Sequence, residues 1–387
     1  MHPPDGKRVK GSDIGGLSRL AVAATLAVTD LVESVHHTIA RRTAPLGTPP
    51  DGRTGGITGL VYASVRGATR GVGTLLDLAL TPLAAWRAQA PSAGERDTWI
   101  AALNGVMGDR LAAENNPLAL DMQLTRAMRP WRDSLGAGTP GGRLLVLVHG
   151  LCMHPGQWRR DDHDHGVALA REFGLDILHL HYNTGLDIAG NGRQFSAQLD
   201  ALVAGWPVPV TALHLLGHSM GGLVIRAACR TAASDGARWL PLLRSLAFLG
   251  TPHRGSPIER AGQWLQSLLA HSPYTLPFTA LGGLRSAGIQ DLRHGSLGGD
   301  AQPPLPRGVL ALAVAGCGGA TGTSLRERLL GDGLVPVRSA LGRAAGASQP
   351  DLFTARQQEL LPGVDHFGLL DAPVYEVLRA FHRRASA

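Results

Sequence analysis

The sequence predicts an α/β fold in which a mostly parallel β-sheet is covered by helices on both faces. From Arg143 to the C-terminus, short apolar runs of strand length alternate with segments of helical apolar spacing. Such alternation is typical of parallel sheets, whose strands are buried on both faces and connected by helices. A second observation is the sequence LHLLGHSMGG at 213–222, where a buried strand passes through a glycine-flanked serine into an apolar helical face.

The residues ahead of this sheet predict a helical extension, residues 1–140. Apolar residues recur at helical spacing over 17–35, which favours an amphipathic helix over a secretion signal, although basic residues precede it. A second predicted helix, 59–80, carries small residues every four positions. Such a stripe allows close packing on the rest of the protein, and the alternative is a surface-bound or oligomerising helix. Residues 96–132 continue as a weakly patterned helical segment.

The linker GAGTPGG at 136–142 marks the predicted boundary of a second domain, residues 141–387. Its predicted strands are 144–148, 177–182, 213–216, 246–250 and 309–315. Its predicted helices are 167–173, 194–206, the segment that follows the glycine-flanked serine, and 373–383. Residues 253–306 interrupt the alternation with an irregular, partly apolar segment, and we interpret this segment as a cap insertion.

Charge and composition limit the partners that the chain can have. The net charge is +7, but almost all basic residues are arginines, which are scattered rather than clustered, and only 5% of the residues are aromatic. This pattern argues against nucleic-acid binding. The sequence contains no run of about 20 apolar residues, which is the length that a membrane-spanning helix needs. We therefore expect a cytoplasmic protein that acts on a small molecule, and we leave peripheral membrane association through the N-terminal helices open.

The cysteines indicate neither a disulfide framework nor a metal site. There are three, Cys152, Cys229 and Cys317, an odd number without metal-ligand spacing. Each lies within or beside an apolar segment, so we predict three buried thiols. The sequence predicts no metal and no cofactor.

Ser219 is the candidate nucleophile. The order strand, Gly217-His218-Ser219-Met220-Gly221, helix is the arrangement of a nucleophile elbow, in which the serine lies on a strained strand-to-helix turn. Side chains at the two flanking glycines would collide with the neighbouring strand and helix. The pentapeptide alone is a weak signal in a chain with 51 glycines, and the surrounding strand and helix give it weight.

A serine hydroxyl needs a histidine base and an acid that orients the base. His366 is the best base, because it lies in a loop just before the last predicted helix. Asp332 is the best acid, because it lies in a glycine-flanked loop after the strand 309–315, and Asp351 and Asp291 are the alternatives. The oxyanion of an acyl-transfer reaction needs two backbone N–H donors, for which Met220 and Leu151 are the candidates.

Five motifs together resemble the α/β-hydrolases of the bacterial lipase and esterase type. They are VHGLC at 148–152, GHSMGG at 217–222, LGTPHRGS at 249–256, DGLVP at 332–336 and DHFGLL at 365–370. The likeness extends from Arg143 to the C-terminus. It implies an α/β-hydrolase fold, a Ser219–Asp332–His366 triad in that chain order, and hydrolysis of acyl esters.

The same resemblance suggests which residues meet the substrate. In lipase-like enzymes an insertion such as 253–306 covers the site and forms the acyl pocket, which would be lined here by Trp264, Leu265 and Phe278. Tyr182, at the end of a strand, is a further candidate. Alternatively, the insertion packs on the sheet and has a structural role. Some secreted members carry a calcium ion and a disulfide, but no cysteine pair is present here, and Asp371 is an isolated calcium candidate.

Three functions are consistent with these residues. The first is a serine hydrolase that cleaves lipid-like carboxylic esters through an acyl-enzyme. The second is an acyltransferase or thioesterase that uses the same triad with another acceptor or substrate. The third is a non-catalytic protein of the same fold that binds a membrane or partner, and the intact order of Ser219, Asp332 and His366 argues against it.

Overall fold

The computed structural model describes residues 93–135, 139–256, 286–298, 303–319, 331–344 and 350–386. Its strands are β1 (Gln123–Arg126), β2 (Arg129–Pro130), β3 (Arg143–Val148), β4 (Arg159–Arg160), β5 (His163–Asp164), β6 (Asp176–His181), β7 (Ala212–His218), β8 (Leu243–Leu249), β9 (Leu310–Cys317) and β10 (Gln358–Pro362). Its α-helices are α1 (Ala93–Ala113), α2 (His165–Phe173), α3 (Ile188–Gly205), α4 (Met220–Asp235), α5 (Ala287–His294), α6 (Val337–Ala340) and α7 (Tyr375–Ser386).

Eight of these strands form one sheet in the order β10-β9-β8-β7-β3-β6-β1-β2. The strands from β10 to β6 are parallel, and β1 and β2 extend the edge in antiparallel pairing. The register places Val148 beside Gly217, and Gly217 beside Phe248, so β3, β7 and β8 end at the same edge of the sheet. This is the predicted α/β-hydrolase architecture, and ligands of such sheets bind at the carboxyl ends of the strands.

Helices cover both faces of the sheet, which explains why its central strands are apolar on both sides. On one face the core combines sheet residues such as Leu147 and Leu216 with Leu169 of α2 and Phe381 of α7. On the other face α3 and α4 pack so closely that a Cβ on Gly192 would collide with Ala227. The main strands and helices predicted from the sequence are confirmed, with ends that differ by a few residues.

Five strands were missing from the prediction, namely β1, β2, β10 and the two-residue strands β4 and β5. Residues 96–132 were expected to be helical, but α1 ends at Ala113 and β1 and β2 follow. β1 is too short to carry an alternating pattern, and its partner β6 lies about fifty residues further along the chain. β10 was also missed, because this edge strand is only partly buried and ends in a proline.

The helices predicted within residues 1–92, and most of the predicted cap insertion, lie outside the described residues. The domain boundary near residue 140 stays a prediction, and residues 97–113 and 119 onward belong to one compact unit. All three cysteines are free and buried, as predicted. Among the described helices, none combines the length and the apolar character that a membrane crossing requires.

Candidate active site

Ser219 lies on a strained turn between β7 and α4. Its backbone has φ +54° and ψ −126°, a left-handed φ that residues with a Cβ rarely adopt. The Ser219 N–H donates a hydrogen bond of 2.8 Å to the Leu249 carbonyl at the end of β8, which holds the turn in place. Such backbone strain costs about 1–3 kcal/mol and persists only where the surrounding structure enforces it. The predicted strand–elbow–helix arrangement is confirmed.

The glycines around the serine leave no room for side chains. A Cβ on Gly217 would lie 2.7 Å from the Gly222 nitrogen, and one on Gly221 would overlap the Val148 carbonyl oxygen and lie 2.6 Å from that of His149. The helix therefore begins directly against the end of β3. The expectation that both positions must be glycine is confirmed.

Asp332 and His366 form a buried hydrogen-bonded pair. Asp332 Oδ2 accepts a hydrogen bond of 2.7 Å from His366 Nδ1, and their side chains are 0% and 3% exposed. Asp332 Oδ1 accepts the N–H groups of Leu334 and Val335 at 3.0 and 2.8 Å. The carboxylate is thus occupied on both oxygens, and it keeps the imidazole proton on Nδ1 and the lone pair on Nε2.

This pair lies at the sheet edge that carries Ser219. A Cβ on Gly250, the residue after β8, would lie 3.1 Å from both Asp332 Oδ2 and His366 Cε1. The Ser219 N–H donates a hydrogen bond to the carbonyl of Leu249, the residue before Gly250. Ser219 Oγ and His366 Nε2 are both buried, and neither has a hydrogen-bond partner among the residues that the structure describes. Links between nucleophile and base are often long in unliganded enzymes and shorten when substrate binds.

His218 makes a contact with His366, the candidate base, that the sequence did not reveal. Its Nε2–H donates a hydrogen bond of 3.0 Å to the His366 carbonyl, and the two rings lie 4.8 Å apart. Burial lowers the pKa of His218 well below its usual value, so the ring is neutral. The residue next to the candidate nucleophile Ser219 therefore holds the loop that carries the candidate base His366.

The two predicted oxyanion donors lie beside the serine. A Cβ on Gly150 would lie 3.0 Å from the Ser219 Cβ, so the loop after β3 passes directly over the elbow. Leu151 follows in that loop, and Met220 begins α4. Neither of their backbone N–H groups donates a hydrogen bond to another residue in the described part of the chain. Their role as oxyanion donors stays a prediction.

Tyr182 anchors the same loop. Its hydroxyl donates a hydrogen bond of 2.8 Å to the His149 carbonyl, and its ring stacks on that of His149 with centroids 4.6 Å apart. The side chain is buried, and its predicted contact with substrate stays untested. The other predicted substrate contacts, Trp264, Leu265 and Phe278, lie outside the described residues.

The alternative acids are engaged elsewhere. Asp351 is exposed and accepts the Ala344 N–H at 2.8 Å, whereas Asp291 accepts the Ile188 N–H at 2.9 Å. Asp371 pairs with Arg160 at 2.7 Å rather than standing free for a cation. Across the described ranges, no three His, Cys, Asp or Glu side chains are grouped so that they could hold a metal ion.

The chain matches no protein-family model and no curated protein. Several solved structures have a similar fold. The mature lipase BlEst2 of Bacillus licheniformis is 18% identical with a TM-score of 0.45, over 69% of this chain and 98% of the lipase. The thioesterase RedJ of Streptomyces coelicolor is 15% identical with a TM-score of 0.38, over 65% and 94%. An esterase of Pyrococcus furiosus is 15% identical with a TM-score of 0.38, over 63% and 82%.

Proposed function

We propose that this protein is a serine hydrolase that cleaves small-molecule carboxylic esters with lipid-like acyl groups through an acyl-enzyme. The observation that carries the proposal is the buried Asp332–His366 hydrogen bond of 2.7 Å at the sheet edge where Ser219 lies on a strained elbow. A buried carboxylate that fixes a histidine tautomer beside a candidate nucleophile is the arrangement that serine catalysis needs.

In the proposed reaction Ser219 Oγ attacks the ester carbonyl carbon while His366 Nε2 accepts the hydroxyl proton. The carbonyl oxygen becomes an oxyanion that is bound by the N–H groups of Leu151 and Met220. His366 then gives the proton to the departing alcohol, and the acyl group remains on Ser219. Water attacks this acyl-enzyme with His366 as base, the carboxylic acid leaves, and Asp332 stays ionised throughout.

The burial of the site supports this chemistry. The side chains of Asp332 and His366 are almost completely buried, so the carboxylate stabilises the imidazolium in a low-dielectric environment. The reaction needs no metal or organic cofactor, since the nucleophile, base and oxyanion donors all come from the chain. A cytoplasmic location and membrane association through the N-terminal helices stay predictions.

The test is hydrolysis of nitrophenyl acetate, octanoate and palmitate by the wild type and by Ser219→Ala. We expect kcat to fall about 10⁴- to 10⁶-fold in Ser219→Ala, as in other serine hydrolases that lose their nucleophile. Ser234→Ala is the matched control, because Ser234 is exposed on the same helix and, within the described ranges, its hydroxyl bonds only the Arg230 carbonyl at 3.3 Å. It should retain full activity.

A fluorophosphonate gives an independent measurement. It should add one phosphonyl group to the peptide that contains Ser219, and none to Ser219→Ala. Activity that survives Ser219→Ala would overturn the proposal. Formation of a new ester when an alcohol is added, in preference to the free acid, would instead show an acyltransferase, and preference for a matched thioester would show a thioesterase.

A further inference from the structure

Helix α1 packs against the loop that follows β3, which carries the proposed oxyanion donor Leu151. A Cβ on Gly105 of α1 would overlap Cys152 Sγ and lie 3.0 and 3.1 Å from the backbone nitrogen and Cα of Cys152. The helix backbone therefore touches the backbone of the loop that follows β3. Any side chain at Gly105 would have to displace that loop.

Cys152 has a conformation that its neighbours impose. Its φ is +58°, in the left-handed region that favours glycine, and the residue is buried. Its N–H donates a hydrogen bond of 3.1 Å to Thr184 Oγ1, and its Sγ lies 3.8 Å from the Ala102 carbonyl in α1. Burial raises the pKa of the thiol to about 12, so Cys152 is a neutral packing group rather than a nucleophile.

The turn of α1 that carries Gly105 is itself held in place. The Gly105 carbonyl accepts a hydrogen bond of 2.7 Å from Ser286 Oγ, and the Gly108 carbonyl accepts one of 2.9 Å from Asn183 Nδ2. Asp109 Oδ2 accepts the Ala287 N–H at 2.9 Å at the start of α5. Between these points Met107 leaves helical geometry, with φ −145° and ψ 26°. These hydrogen bonds hold this part of α1 in place, and the loop that follows β3 packs against it.

We infer that Cys152, held between Gly105 of α1 and Thr184, is the positioning residue that aims the Leu151 N–H at the oxyanion. The inference rests on the proposed function, because it assigns the support of a donor in that reaction. The rigid peptide plane that ends at Cys152 begins at the Leu151 Cα, and the Leu151 N–H lies in the plane that ends at this same Cα, so a displacement of Cys152 shifts the Leu151 Cα and with it the direction of the N–H. Loss of one oxyanion donor costs about 10²- to 10³-fold in kcat, and a displaced donor costs part of this.

The first experiment compares Gly105→Ala with Gly94→Ala in the full chain. Both place the same methyl group on α1, but a Cβ at Gly94 meets no atom of the described residues within 4 Å. With nitrophenyl butyrate we expect kcat of Gly105→Ala to fall about 10- to 100-fold, with KM changed less than about threefold. Gly94→Ala should equal the wild type. Cys152→Gly removes the Sγ that the new Cβ would overlap but leaves the backbone contacts at 3.0 and 3.1 Å, so combined with Gly105→Ala it should restore only part of the lost activity.

A second readout separates oxyanion positioning from general distortion. A thionoester presents sulfur, a weak hydrogen-bond acceptor, where the ester presents oxygen. The ratio of kcat for ester over thionoester should therefore fall in Gly105→Ala. A folded Gly105→Ala with wild-type kcat, or with an unchanged ratio, would overturn the inference.

If Gly105→Ala does not fold, Thr184→Val tests the same positioning role of Cys152. It keeps the shape of Thr184 but removes the oxygen that accepts the Cys152 N–H. We expect the same fall in kcat and in the ester-to-thionoester ratio, and an unchanged ratio would overturn the inference. Failure of the proposed function gives a different result, because Ser219→Ala would then retain activity whatever happens at Gly105.

Discussion

The substitution Asp332→Asn tests how the candidate base is oriented. Asp332 bonds His366 Nδ1 through Oδ2 and accepts the N–H groups of Leu334 and Val335 through Oδ1. An asparagine has almost the same shape but only one acceptor oxygen. The N–H groups of Leu334 and Val335 would bind that oxygen, so the amide NH₂ would face His366. An NH₂ donor facing Nδ1 would force the imidazole proton from Nδ1 to Nε2. In that tautomer Nε2 cannot accept the serine proton.

The expected loss in kcat is about 10⁴-fold, since this is the cost of a wrong histidine tautomer in a serine triad. It corresponds to about 5.4 kcal/mol of transition-state stabilisation. The loss should fall on kcat rather than on KM, because the pair is buried behind the site and bonded within the chain.

The assay is nitrophenyl butyrate hydrolysis, with thermal unfolding to confirm that each variant is folded. Asp351→Asn and Asp291→Asn are the matched controls, because each removes one of the alternative acids. Both should stay within about threefold of the wild-type kcat, since their carboxylates bond backbone N–H groups elsewhere. An Asp332→Asn enzyme within tenfold of the wild type, or a control with an equal loss, would refute the assignment of the acid.

Two further predictions concern buried histidines. His218→Phe removes the donor to the His366 carbonyl and should lower kcat about 10- to 100-fold, whereas His218→Gln, which can still donate, should retain most of it; equal rates in both would contradict this role. The stability of the fold should fall in acid. The reason is that burial lowers the pKa of four histidines in the folded chain, to about 4 for His154, His165 and His382 and to about 3 for His214. These rings are neutral in the fold, so below pH ~6.5 the unfolded chain binds more protons. The free energy of unfolding, measured with urea, should therefore be highest above pH ~6.5 and fall towards pH ~4, by up to ~1.4 kcal/mol per pH unit for each ring. His382→Phe, which keeps the ring contact with Phe173, should make this slope shallower, and an unchanged slope would exclude His382 as a contributor.

The parts of the fold that were predictable depend on local patterns. The strands β3, β7 and β8 each contain a buried apolar run, such as 144–148 in β3 and 246–249 in β8, because helices cover both faces of the sheet. The elbow was readable because steric exclusion at Gly217 and Gly221 leaves a short, recognisable signature around Ser219. By contrast, β1 was missed because its stability comes from pairing with β6, and the four residues of β1 carry no such signal.

The sequence by itself determined the residue types of the candidate site and the kind of element that carries each one. Ser219, Asp332 and His366 could be chosen because a strained turn, a glycine-flanked loop after a strand and a loop before the last helix each have a recognisable local sequence. Only the tertiary structure decided which acid meets the candidate base His366. It alone also showed that α1 contacts the loop after β3 and that His218 contacts the loop of His366. The physical reason is that those contacts join residues far apart in the chain, such as Gly105 with Cys152 and His218 with His366. Their geometry depends on the packing of the whole sheet and its helices, and no local pattern records it.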